Sequence, residues 1–119
     1  MRNMATIYRF AGPAILTVEN GYVSTYAGPR LFQINGNYIE KYGGSRLFEI
    51  NGDLVSKFAG PYVYEMRGNT LYGYASGAVA QISGGYISTF AGPYSYQISG
   101  SLSRNELIAV LVLLFTYKF

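Results

Sequence analysis

Apolar and polar residues alternate along most of this chain with a period of two, and glycine-containing interruptions recur every sixteen residues. In lines of sixteen from Thr6 it reads TIYRFAGPAILTVENG, YVSTYAGPRLFQINGN, YIEKYGGSRLFEINGD, LVSKFAGPYVYEMRGN, TLYGYASGAVAQISGG and YISTFAGPYSYQISGS. Six copies cover residues 6–101 without an insertion. A fixed period of this kind marks a repeat architecture, in which one unit cannot bury its apolar face without its neighbours.

Each unit contains two turn signals. Its fifth position is always aromatic (Phe10, Tyr26, Tyr42, Phe58, Tyr74, Phe90) and precedes a loop of AGP type, whose glycine opens backbone angles and whose proline presets φ. The second signal is Asn-Gly, Ser-Gly or Arg-Gly-Asn after an apolar residue, the chemistry of a two-residue hairpin with φ above zero. Two turns per unit leave two strands of about five residues, an ordinary strand length.

The register follows by counting. With Gly36-Asn37 as a turn, Asn35 faces Tyr38, Ile34 faces Ile39, Gln33 faces Glu40, Phe32 faces Lys41 and Leu31 faces Tyr42. Carried through a loop of Gly43, Gly44, Ser45 and Arg46, Tyr42 also faces Leu47, which sets Glu40 opposite Glu49. One face then carries Phe32, Ile34, Ile39, Phe48, Ile50 and Val55 as core, and the other mixes Leu31, Leu47, Tyr38 and Tyr42 with Gln33, Glu40 and Glu49. A two-sheet parallel solenoid shares the period, but the Asn-Gly signal favours an antiparallel meander.

The segment after Ser101, LSRNELIAVLVLLFTYKF, breaks the pattern. Ser103 and Glu106 have the spacing of a capping box, which predicts a helix starting near Arg104. From Leu107 to Tyr117 its apolar residues lie all round the helix, so it must be buried on every side. A membrane anchor and a plug through the ring of repeats both meet that demand. Eleven residues span only about 16 Å against a hydrocarbon core of about 30 Å, so the plug is the expectation and no membrane span is predicted. The N-terminal MRNMATIYRFAGP has no apolar leader stretch, so no signal peptide is expected and the cytoplasm is the default location.

Composition narrows the chemistry. The 119 residues suit a single domain, 1–119, with the repeats at 6–101 and the helix at 102–119. With no Cys and no His, disulfides, thiolate or imidazole metal sites, Cys nucleophiles and His-based proton transfer are excluded. A net charge of +3, from nine basic and six acidic residues, is too small and too scattered for a nucleic-acid footprint. The aromatic content of 17%, with thirteen Tyr, belongs to an ordered β-rich chain.

The units LFQINGNYIEKY, LFEINGDLVSKF and YVYEMRGNTLYGY, followed by an LS-x-x-E-L apolar segment, resemble the small bacterial proteins called four-fold or five-fold beta-flower proteins, a family of unknown function. The resemblance implies short hairpins arranged radially like petals, with the terminal segment at the centre, and implies no activity. Six copies contain five complete hairpins, so five-fold and six-fold symmetry both remain open. The strand at Thr6–Phe10 has no predecessor and that at Tyr94–Ile98 no following partner. Their pairing is expected to close the ring and remove its exposed edges. The fold class expected is therefore mainly β, a radial set of antiparallel hairpins closed by the terminal strands around one buried C-terminal helix.

Candidate sites are few. The pair Glu40 and Glu49 has the residue types of acid–base catalysis or of a hard-cation site, but Lys41 and Arg46 lie near and no nucleophile or third ligand accompanies it, so a surface pair is expected. The glycine loops lack the helix and in-phase lysine of a phosphate cradle. Tyr22, Tyr26, Tyr38, Tyr42, Tyr72, Tyr74 and Tyr86 share the less apolar face with Gln33, Asn35, Gln81 and Gln97. Such a face can stack on and hydrogen-bond to sugars, or pack across strands. From it Tyr22, Tyr38, Tyr42, Tyr86, Gln33 and Gln97 are the candidate ligand-binding residues. The expectation is a non-enzymatic structural or interaction module without metal or cofactor, whose partner is another protein or a second copy. A carbohydrate- or small-ligand-binding role for the Tyr face is the alternative.

Overall fold

The structure is a computed structural model that describes residues 4–119; Met1 to Asn3, the start of the segment read for a leader, lie outside the described residues. Twelve strands form one closed antiparallel barrel: β1 Met4–Arg9, β2 Ala14–Glu19, β3 Tyr22–Thr25, β4 Arg30–Asn35, β5 Tyr38–Lys41, β6 Arg46–Asn51, β7 Leu54–Lys57, β8 Tyr62–Arg67, β9 Thr70–Gly73, β10 Ala78–Ser83, β11 Tyr86–Thr89 and β12 Tyr94–Gly100. Every strand pairs with its sequence neighbours, so the antiparallel meander holds and the parallel solenoid is excluded.

Closure is made by β1 on β12, with Thr6 opposite Ser99, Ile7 opposite Ile98 and Tyr8 opposite Gln97. That register repeats the one inside each two-residue hairpin, where Asn35 faces Tyr38, Ile34 faces Ile39 and Gln33 faces Glu40. The closing pair is thus a sixth hairpin with its turn cut, and the symmetry is six-fold. Gly100 lies at this seam with φ of 113°, and a Cβ there would run into the Met4 carbonyl oxygen and sit 2.9 Å from the Ala5 Cα. Any side chain would push the closing strands apart.

The hairpins follow the predicted register, but the connections across the AGP loops do not. Each carries a β-bulge at the same repeat position, between Ile39 and Glu40 in the β5–β6 pair. Lys41 accordingly pairs with Ser45, Glu40 with Arg46 and Ile39 with Phe48, and Leu47 is the extra residue. The bulge moves the register by one, so Glu49 faces Tyr38 and Glu40 does not face Glu49. The bulged residues Ile15, Leu31, Leu47, Val63 and Val79 turn toward the core, which explains two adjacent apolar positions in a strand that otherwise alternates.

The AGP loops bend in a way their composition hides. The left-handed residue is the alanine, with φ of 53–55° at Ala11, Ala27, Ala59 and Ala75 and 57° at Ala91; only Gly43 puts glycine there. The following glycine has another duty. A Cβ on Gly12, Gly44 or Gly60 would lie 3.3, 3.1 or 3.2 Å from the Cβ of Arg9, Lys41 or Lys57, three residues earlier. In the fifth repeat the small residue has moved to the other side of that contact: Ser76 stands at the loop position, Gly73 stands three residues earlier, and a Cβ on Gly73 would lie 3.2 Å from that of Ser76.

Inside the barrel runs α1, Arg104–Tyr117. The Ser103 hydroxyl accepts from the Glu106 amide at 3.2 Å and the Glu106 carboxylate accepts from the Ser103 amide at 2.8 Å, the predicted capping box. Seven consecutive residues, Ile108 to Leu114, are each no more than 1% exposed, so the helix is surrounded on all sides. A layer of Ile7, Val23, Ile39, Val55, Leu71 and Ile87 encircles it, equally dry. The next layer toward the AGP loops varies in size: Leu16, Phe32, Phe48, Tyr64, Ala80 and Tyr96. The helix backbone approaches β10 most closely, where Ala80 takes least room. It is therefore off-centre, and on the opposite side Phe32 fills the space together with Tyr117 and Phe119, at ring-centroid distances of 5.4 and 6.3 Å.

The barrel is squat, 35 × 34 × 26 Å, with two unlike ends. The two-residue hairpins ring the end where α1 enters, held by Arg104 to Asp53 at 2.8 Å and Asn105 to Asn37 at 3.2 Å. The six AGP-type loops ring the other end, where α1 stops at the left-handed Lys118. No described helix is long and apolar enough to cross a membrane.

Candidate interaction surface

The loop end gathers most of the exposed aromatic surface. Each fifth-position aromatic donates its backbone N–H across to the preceding repeat, as Tyr42 does to the Leu31 carbonyl at 3.0 Å and Phe10 to that of Ser95 at 2.9 Å. This common bond sets six rings at equivalent places on the outer wall beneath the loop tips. Phe10, Tyr26, Tyr42, Phe58, Tyr74 and Phe90 are all between 44 and 57% exposed.

Around the wall these rings meet two residues of the preceding repeat. Tyr42 packs edge-on to Tyr22 at 5.8 Å, with the Arg30 guanidinium 3.7 Å above the Tyr22 ring. Phe58 meets Tyr38 at 5.9 Å, with Arg46 3.8 Å over the Tyr38 ring. Tyr74 packs on Tyr62 at 5.3 Å, and Phe10 closes the circle on Tyr86 and Tyr94 at 5.8 and 5.4 Å. The other two places hold Thr6 with Ala14 and Thr70 with Ala78, and there Tyr26 and Phe90 join no other ring among the described residues. They are the two most exposed large apolar side chains, at 57 and 52%.

The structure brings several predicted site residues together. Tyr22 stands opposite Gln33 and Tyr86 opposite Gln97 on neighbouring strands. Tyr38 stands between Asn35 and Glu49. Arg30 and Arg46 occupy one face each of the Tyr22 and Tyr38 rings, contacts worth about 0.5–1 kcal/mol at exposed sites. Tyr42 also borders a cavity. This open cleft of about 370 Å³ is lined by Arg30, Leu31, Phe32, Lys41, Tyr42, Tyr117 and Phe119, on the side of the barrel away from which the helix is displaced.

Charge is distributed unevenly along the barrel. Within two residues of the AGP-type loops stand Arg9, Arg30, Lys41, Arg46 and Lys57, and the only carboxylate is Glu40, which accepts from Arg46 Nε at 3.2 Å. The loop tips themselves are uncharged. Glu19, Asp53 and Glu106 lie instead at the hairpin end. Nothing in the separate strands announced this polarity; it appears when the fourth and ninth positions of the repeats are read as columns, where the cations recur.

Acid–base chemistry finds little support in the geometry. Glu40 is engaged by Arg46, Glu65 by Arg67 at 3.1 Å and Asp53 by Arg104 at 2.8 Å. Among the described residues no cluster of three or more acidic groups could hold a metal ion. Burial raises the Tyr96 hydroxyl above its ordinary value, and that hydroxyl donates to the main-chain oxygen of Phe119 at 2.7 Å. No protein-family profile, curated protein or solved structure matches the chain.

Proposed function

We propose that this chain is a non-enzymatic interaction module of the beta-flower type that presents its loop end to a partner. One observation carries the reading: six equivalent aromatic side chains, each at least 44% exposed, encircle one end of a closed scaffold with no unpaired sheet edge. Large exposed apolar area costs solubility unless something covers it, and here it is concentrated instead of scattered. A photo-crosslinking residue at Tyr26, compared in living cells with one at the exposed hairpin residue Asn69, tests this. Adducts concentrated at Tyr26 are expected; equal yields, or adducts chiefly at Asn69, would overturn it.

A small-ligand role is favoured by a separate feature, the cleft beside Tyr42. Its aromatic floor of Phe32, Tyr117 and Phe119 and its two cations, Arg30 and Lys41, suit a flat or anionic group better than a neutral sugar. Saturation-transfer NMR with a saccharide panel and with aromatic carboxylates separates the two; silence from both removes the ligand reading.

A further inference from the structure

We propose that the loop end docks on the surface of an anionic lipid bilayer, a proposal that rests on the loop-end reading above and names its partner. Three observations converge. First, the tips are small and uncharged, and four of the six are Ala-Gly-Pro. Five tips keep an alanine methyl at a left-handed φ of 53–57° where glycine would sit without strain. Second, just behind the tips comes the belt of exposed Tyr and Phe rings, residues that favour the headgroup level of a bilayer. Third, Arg9, Arg30, Lys41, Arg46 and Lys57 flank four of the six loops at the base of the tips, at the depth where lipid phosphates would lie once the tips enter.

Shape points the same way. Six equivalent loops on a face of about 35 × 34 Å form a level ring, which suits a plane. An extended polyanion would instead call for a continuous basic groove, and the cations here form an arc beside four of the six loops that uncharged tips interrupt. A second copy docked through the same face would bring both sets of cations together, and like charges oppose it.

Vesicles test the proposal with the intact chain. It should sediment with phosphatidylcholine vesicles containing phosphatidylserine, not with phosphatidylcholine alone, and added salt should release it. Replacing three exposed cations at once, Arg9→Gln, Lys41→Gln and Lys57→Gln, should lower the partition coefficient on the order of a hundredfold, at about fivefold per charge. The pair Tyr26→Ser and Phe90→Ser should also weaken binding while leaving the melting temperature in place, because neither ring packs on another. Absence of binding to the anionic vesicles, or binding that survives loss of the three cations, overturns the proposal. So does retention on heparin or DNA without vesicle binding, which would identify a polyanion, and so does self-association abolished by the two Ser substitutions. Tyr26 crosslinks to protein without vesicle binding would sink the bilayer and leave the loop-end reading standing.

Discussion

Gly73 and Ser76 form a testable pair because the fifth repeat solves the loop's crowding the opposite way from the other five. Gly73→Ala places a Cβ 3.2 Å from that of Ser76, tighter than two such atoms normally approach. Overpacking of this kind costs about 1–3 kcal/mol. Against it stands a gain of about 0.4–1 kcal/mol, because alanine restricts the unfolded chain more than glycine does. The single substitution should therefore destabilise by about 1 kcal/mol. Ser76→Gly alone loses unfolded-state restriction and costs about 0.5–1 kcal/mol. Together they recreate the arrangement of the other repeats, and the overpacking term should vanish. The double variant should be more stable than the sum of the singles by about 1–2 kcal/mol. In a chain of this size 1 kcal/mol corresponds to a melting-temperature difference of about 3–6 °C. Urea denaturation of the four proteins measures the coupling directly. A coupling under about 0.3 kcal/mol, the additivity expected of independent sites, would refute the claim that one of the two positions must be glycine.

Other outcomes follow from the same structure. Ala27→Gly and its equivalents at Ala11, Ala59, Ala75 and Ala91 relieve a left-handed strain of about 1–2 kcal/mol each, offset by about 0.5–1 kcal/mol of backbone entropy; the five together should raise the melting temperature, and a fall would contradict the strain. Deleting residues 1–10 removes all of β1 and opens the seam against β12, so sharply lower stability or aggregation is expected by calorimetry, and an unchanged melting temperature would sink the closure. Ser103→Ala breaks the capping box and should cost about 1 kcal/mol in urea denaturation. Burial raises the Tyr96 hydroxyl, so its contribution is intact below the ordinary tyrosine value of about 10 and is lost as pH climbs through the higher folded value. Alkaline denaturation should thus be less steep in Tyr96→Phe, and identical curves would argue against it.

The repeat made the hairpins legible because two signals recur in each unit and because cross-strand partners can be counted from a two-residue turn. Pairing of Thr6–Phe10 with Tyr94–Ile98 followed from the same count. What counting missed was the bulge: Leu47 and Phe48 are both apolar, and strict alternation puts one outside, whereas a bulge lets both turn in. That single residue separated Glu40 from Glu49 and gave it Arg46 instead. The AGP motif misled in a related way, since glycine was read as the residue of unusual φ when its role is to leave room for the side chain three positions back. The helix was readable from its cap and its uniform apolarity, but its displacement toward Ala80 was not, because it depends on comparing one position across all six repeats. The interaction surface escaped for the same reason. The Tyr and Gln candidates were chosen along strands, while the aromatic stacks join Tyr22 to Tyr42 and Tyr86 to Phe10 across repeat boundaries.

The single helix also bears on how such a chain could have grown. An open array of repeats lengthens by duplication and simply becomes longer, but a closed ring that gains or loses one unit changes its circumference by a sixth. An α-helix with its side chains is about 10–12 Å across and cannot adjust its girth. With one unit fewer or more, the layer of Leu16, Phe32, Phe48, Tyr64, Ala80 and Tyr96 would need smaller or larger side chains to keep Ile108 to Leu114 in contact. Gain or loss of a unit in this ring would therefore have to be matched by new residue sizes facing the helix, so the number of repeats and the apolar tail are coupled.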